Sequence, residues 1–169
     1  DTNNYVKTSD ITSNNLYNEY YVAALIYYYQ TFLFTAGDLE DAGENKLVQN
    51  ASNTGISSIS SEDEVIYKAC HHGTDVGANA SGDGGNKMPL LRLLNPDYII
   101  ISSTINESDH PYVKTIANFL WFTEEIYFNG TNGTLDLALD GSSVTVTGFG
   151  ATTNYKVLGE SIDYEGEKN

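Results

Sequence analysis

The stretch YYVAALIYYYQTFLFTAGDLEDAGENKLV, residues 20–48, decides the fold class. Its first half is almost wholly aromatic, aliphatic or β-branched, the composition of strands covered on both faces. A break near Gln30 divides it into two runs. That predicts a central, buried hairpin over 20–36, with Leu25, Ile26, Phe32 and Phe34 among its interior residues. After Gly37 and Asp38 the pattern changes. Acids lead LEDAGENKLV and Lys46 comes later, which suits a helix dipole.

Working outward, residues 50–63 read as a polar loop, and EVIYKAC, 64–70, as a strand running directly into His71. Residues 73–87 are glycine-rich and read as flexible. MPLLRLLN is a short helix with Pro89 in its first turn, and PDYIIIS is a strand. A second helix starts at Pro111, with Val113, Ile116, Ala117 and Leu120 at the spacing of one face. EIYF is a short strand. GTLDLAL and SSVTVTG alternate with period two around Asp140 and Gly141, a hairpin signal. Residues 1–18 are polar and read as a lead-in; the tail from Lys156 is acidic and expected to fray. No repeat or domain boundary interrupts the chain. Residues 1–169 read as a single α/β layered domain, a mixed sheet with flanking helices.

Composition excludes several classes. The chain has 169 residues, 40% hydrophobic and 18% charged, enough for one real core and against disorder. No apolar run reaches the roughly 18 to 20 residues of a membrane span. The net charge is −15 with only eight Lys and Arg, which disfavours a non-specific grip on nucleic-acid phosphates. The lone Cys70 rules out an internal disulfide. The first residue is Asp1 rather than Met, so the chain reads as a processed form or a fragment.

Three segments hold the residues suited to chemistry, each at the C-terminal end of a predicted strand, where α/β proteins commonly place their sites. In FLFTAGDLED, Asp38 is either a metal-ligating carboxylate or a helix N-cap. In YKACHHGTD, two adjacent histidines leave an apolar strand. In extended chain they point opposite ways, so one would bind metal while the other orients it, meets substrate or stacks in the loop. In SSTINESDHPYVK, His110 is either a helix cap, as Asp109 also could be, or a substrate-facing proton donor. All three histidines of the chain fall in these segments. Nothing has the HxH or HExxH spacing of a complete site, so Asp38, His71 and His110 make a thin one.

The order of the segments resembles the C-terminal half of the metallo-β-lactamase superfamily. The nearest subgroup is the hydrolase domain of ComEC-type competence proteins and their soluble relatives. The matching residues are Gly37-Asp38, His71-His72-Gly73-Thr74, Pro96 to Ser102, and Asn106 with His110-Pro111, within a resemblance spanning roughly 14–147. The resemblance implies half of a four-layer αββα sandwich with a site for two ions, zinc or manganese. It implies Asp38 as bridging carboxylate and His71 as a metal ligand, with His72 and His110 beside them and His110 facing substrate. The family's HxHxDH loop is absent from this chain; it belongs to an N-terminal half, which becomes the implied partner. Thr74 stands where the family usually has Ser.

The function so implied is metal-dependent hydrolysis of a phosphodiester or another ester, with nucleic acid as one possible substrate and the charge favouring a small one. Two ions would hold a bridging hydroxide between them, with Asp38 setting their spacing. A different class, a non-catalytic half-domain that binds a partner, is supported by the absent loop. A surface adhesive module, suggested by 13 tyrosines and polar loops, is the third reading.

Overall fold

A computed structural model describes residues 21–74, 84–103 and 110–150. The lead-in, the tail, Asn106 and Asp109 lie outside them. Five strands form one sheet in the order β1 (Ala24–Tyr28), β2 (Thr31–Thr35), β3 (Glu64–Lys68), β4 (Tyr98–Ile101) and β5 (Ile126–Phe128). β1 and β2 are the antiparallel hairpin, and β2 to β5 run parallel. Each parallel step is bridged by a helix: α1 (Asp41–Gln49), α2 (Met88–Leu94) and α3 (Val113–Phe119). A one-turn helix, α4 (Asn129–Asn132), leads into a separate two-stranded sheet, β6 (Gly133–Leu139) with β7 (Val144–Gly150). The chain is therefore α/β, a mixed sheet with flanking helices. Among the described residues no helix is long and apolar enough to cross a membrane.

Alternation along the strands builds two cores. Phe32 and Phe34 of β2, Val65 and Tyr67 of β3, and Ile99 and Ile101 of β4 pack with Leu90, Leu91 and Leu94 of α2 and Ile116 and Phe119 of α3. The opposite face carries Leu33, Ile66 and Ile100, covered by Leu135, Leu137, Leu139, Val144 and Val146 of the β6–β7 hairpin. The period-two register predicted for that hairpin is the reason its leucines reach one side together.

The sequence misplaces two apolar features. β1 is an edge strand rather than a central one. Ile26 is 54% and Tyr27 72% exposed, and Leu25 is half-buried; only Phe32 and Phe34 of the expected four are fully interior. An apolar run marks a strand but does not say which neighbours cover it. In α3 the buried face is Thr115, Ile116 and Phe119, while Ala117 and Leu120 face outward. The polar 50–63 segment holds two short 3-10 turns, Ala51–Asn53 and Gly55–Ser58.

Candidate functional site

Because β2, β3 and β4 are parallel, the segments that follow them leave the same edge of the sheet. Those segments are Ala36 to Glu40, Ala69 to Thr74, and Ser102 and Ser103 with His110 further on. Two backbone bonds tie them together: His71 N–H donates to Gly37 O at 3.0 Å, and Tyr112 N–H to Gly73 O at 2.8 Å.

The histidine pair is not extended. His71 has φ 41° and ψ 51°, and His72 has φ 56° and ψ 20°. Two consecutive non-glycine residues in the left-handed region are uncommon, and such strain collects at functional sites. The turn, Cys70–Gly73, brings the rings together instead of sending them to opposite faces. His71 and His72 have ring centroids 6.1 Å apart, and His71 lies edge-on to His110 at 5.5 Å.

The two rings are set differently at Nδ1. His71 Nδ1 lies 2.7 Å from Glu40 Oε1, at ion-pair distance but outside hydrogen-bond geometry. His72 Nδ1 lies 2.5 Å from Ser102 O. A carbonyl oxygen only accepts, so the Nδ1 proton of His72 is spent there. Its Nε2 faces Asp38 Oδ1 at 3.3 Å. Without a positive charge those two atoms are both acceptors. The contact therefore calls for a proton on Nε2 or a cation shared with the carboxylate.

Asp38 is placed by its own turn. Gly37 has φ +56°, and a Cβ there would come within 2.6 Å of Tyr21 Cδ1, so the tyrosine ring lies directly over the glycine. The Tyr21 hydroxyl donates to the Asp38 carboxylate, whose charge pushes the phenol pKa up. The N-cap of α1 is Glu40, and that of α3 is Tyr112. The cap readings of Asp38 and His110 thus fail. His110 joins the cluster through its ring, and its carbonyl accepts from Ser103 Oγ at 3.0 Å.

Under the turn lies a buried polar network that sequence reading missed. Glu44 is 1% exposed. Its carboxylate accepts from the backbone N–H of Asn86 at 2.6 Å and Lys87 at 2.9 Å. Asn86 Nδ2 donates to Cys70 O at 3.0 Å, and its Oδ1 accepts from Tyr67 OH at 2.9 Å. The Tyr67 hydroxyl in turn accepts from Cys70 N–H at 3.3 Å. The carbonyl and amide of the residue just before His71 are thereby fixed. Burial pushes the Cys70 thiol and Tyr67 phenol far up, so both stay neutral. The available signal was Glu40 and Glu44 four residues apart, hence on one face of α1. The dipole explanation of the acids hid it.

Burial raises Glu44 to about 7 from 4.5, against the two N–H bonds that hold it down. The folded chain then keeps its proton where the unfolded chain has lost it. The resulting stabilisation is complete below about pH 4.5 and is lost as pH rises to about 7, by about 3 kcal/mol. Glu44→Gln abolishes that pH-dependent part and, by setting an amide donor against backbone N–H groups, costs about 1–3 kcal/mol at pH 5. Urea unfolding of both proteins at pH 5 and 7.5 checks this; parallel pH trends count against it.

Gly73 closes the turn at φ +82°, and a Cβ there would lie 2.9 Å from Pro111 Cβ and 3.3 Å from Pro111 Cα. Gly73→Ala is expected to cost about 2–3 kcal/mol, from a left-handed alanine and overpacking on backbone. It should also shift the ring signals of His72 and His110, read by NMR.

Among the described residues no group of three or more His, Cys, Asp or Glu is arranged to hold a metal ion. The donors present fit an edge of a centre rather than a whole one. Two ligands about 2.0–2.1 Å from a tetrahedral ion lie about 3.3–3.4 Å apart, and Asp38 and His72 have that spacing. Comparison with family models, curated proteins and solved structures returned no match.

Proposed function

We propose that Asp38 and His72 are two ligands of a metal centre in a hydrolase of the metallo-β-lactamase type, acting on a phosphodiester or other ester. The observation that carries this reading is the Asp38 Oδ1–His72 Nε2 contact, with His72 Nδ1 already committed to Ser102 O. A backbone carbonyl or carboxylate on the second ring nitrogen is the usual support of a metal-bound histidine. His71 has a carboxylate, Glu40, at ion-pair distance from its own Nδ1. The layering also supports it: helices on one face of the mixed sheet and a β-hairpin on the other agree with half of an αββα sandwich.

Residue roles follow from the contacts. His72 rather than His71 is the ligand beside Asp38, a revision of the family-derived assignment. His71, between Glu40 and His110, is oriented as a second ligand or as a substrate contact. His110 meets substrate. Zinc or manganese bound there would supply Lewis acidity and an activated water. The remaining ligands are proposed to come from an HxHxDH segment on an N-terminal half, the partner of this chain.

The lack of a three-ligand group among the described residues favours a second reading, a non-catalytic half-domain. Metal content and hydrolysis of a model phosphodiester, measured on this chain and on one extended by an HxHxDH-bearing segment, separate the two. The first reading expects weak metal binding alone and two ions with activity in the extended form. An extended form without metal supports the second.

A further inference from the structure

β1 ends the five-stranded sheet, so one side of its backbone faces away from β2. Five of the eight exposed large apolar side chains among the described residues lie on it or beside it: Val22, Ile26, Tyr27, Tyr28 and Tyr29, each half exposed or more. Residues 21–29 carry no charge, proline or glycine, in a chain whose net charge is −15. Edge strands are ordinarily guarded by lysine, proline, a bulge or an inward charge, and an apolar edge without them is a template for another strand.

We propose that β1 is a homodimer interface, in which two copies of this chain pair their β1 strands antiparallel about a two-fold axis at Ile26. The strand itself selects a second copy as the occupant. Its sequence, ALIYY, runs from small to large. Antiparallel pairing centred on Ile26 sets Ala24 against Tyr28, Leu25 against Tyr27, and Ile26 against its own copy, so each ring meets a smaller side chain. An axis normal to the sheet also keeps each face of the strand on its own side. On the helix face, Leu25 and Tyr27 lie across from Phe34 and Phe32 and border a hollow of about 310 Å³ that Leu47 and Ile56 also line. The register lays each Tyr27 ring on the Leu25 wall of the partner's hollow. The exposed parts of the five side chains amount to roughly 600 Å², taking about 200 Å² for a whole tyrosine. A standard interface takes about 800 Å² per partner, a little over half of it apolar, so the edge supplies the apolar share a stable dimer needs. The pairing uses up one edge in each copy and therefore closes at two. It is independent of any bound metal.

The test is sedimentation velocity of the 169-residue chain from low to high micromolar concentration, at low and high salt. A dimer is expected, tighter at high salt because the charge of −15 on each copy is screened. Ile26→Lys sets two ammonium groups face to face at the axis and should weaken the dimer by at least about tenfold. Ile26→Cys should form an interchain disulfide under mild oxidation, because the two side chains stand directly opposite, while Tyr28→Cys, opposite Ala24, should not. Cys70 is buried and stays out of this reaction. Both substituted positions are exposed, so the variants keep the fold, which circular dichroism checks. If Ile26→Lys fails to fold, the disulfide pattern decides by itself. A chain monomeric throughout, a dimer indifferent to Ile26→Lys, or crosslinking of Tyr28→Cys as fast as that of Ile26→Cys overturns the proposal.

Discussion

On the proposed metal centre, His72→Ala is expected to lower zinc affinity by roughly 100-fold or more, and Glu40→Gln by no more than about tenfold. Loss of a ligand's outer partner typically costs 10–100-fold in metal affinity and loss of a ligand at least as much; Glu40 lies beside His71, not beside the proposed ligand His72, so its loss falls at or below the lower end. The asymmetry follows from the contacts. His72 Nε2 and Asp38 Oδ1 face one another at 3.3 Å, whereas Glu40 acts only through Nδ1 of His71. Asp38→Ala should match His72→Ala, because it removes the other half of the same pair. His110→Ala should keep the metal, its ring lying against His71 rather than against Asp38. Competition titration against a zinc chelator checks all four on an extended, metal-competent form. A Glu40→Gln loss equal to that of His72→Ala would return the ligand role to His71.

Tyr67→Ala is expected to destabilise the fold by about 4–5 kcal/mol, a large share of the roughly 5–15 kcal/mol a domain possesses. The ring is fully buried, stacked on Phe34 at 5.9 Å and edge-on to Phe119 at 5.9 Å. Its removal leaves a cavity between β2 and α3. It also strands Asn86 Oδ1 and Cys70 N–H, both of which use the hydroxyl. Tyr67→Phe keeps the packing and loses only those bonds, for about 1–3 kcal/mol. Urea unfolding gives both values. A Tyr67→Ala cost no greater than that of Tyr67→Phe would mean that the packing counts for little. Because Cys70 precedes the histidines, Tyr67→Phe should also loosen the turn, seen as faster exchange of the His71 amide.

Much of the scaffold was legible because its elements carry local signals. Pro89 and the leucines of 90–94 mark α2, Ile99 to Ile101 a strand covered on both faces, and the β6–β7 alternation a hairpin. Parallel strands then bring Asp38, His71, His72 and His110 to one edge, although 72 positions of chain separate the first from the last. The left-handed histidine turn was not legible. Nothing in a His-His pair announces positive φ, which a glycine would have suggested, and an extended reading sends the rings apart. Nor was the Glu44–Asn86–Tyr67 network, since its members lie up to 42 residues apart and meet only after α1 and α2 dock. Ile26 looked interior because strand composition does not distinguish an edge from a centre.

The account turns on a cation shared by Asp38 and His72. The direct measurement is the 15N shift of the His72 ring nitrogens during zinc titration of this chain, repeated with Asp38→Ala. The account predicts that zinc moves Nε2 of His72 while Nδ1 keeps its bond to Ser102 O, and that Asp38→Ala abolishes the response. A His72 ring unmoved by zinc, or one that responds equally without Asp38, would contradict it.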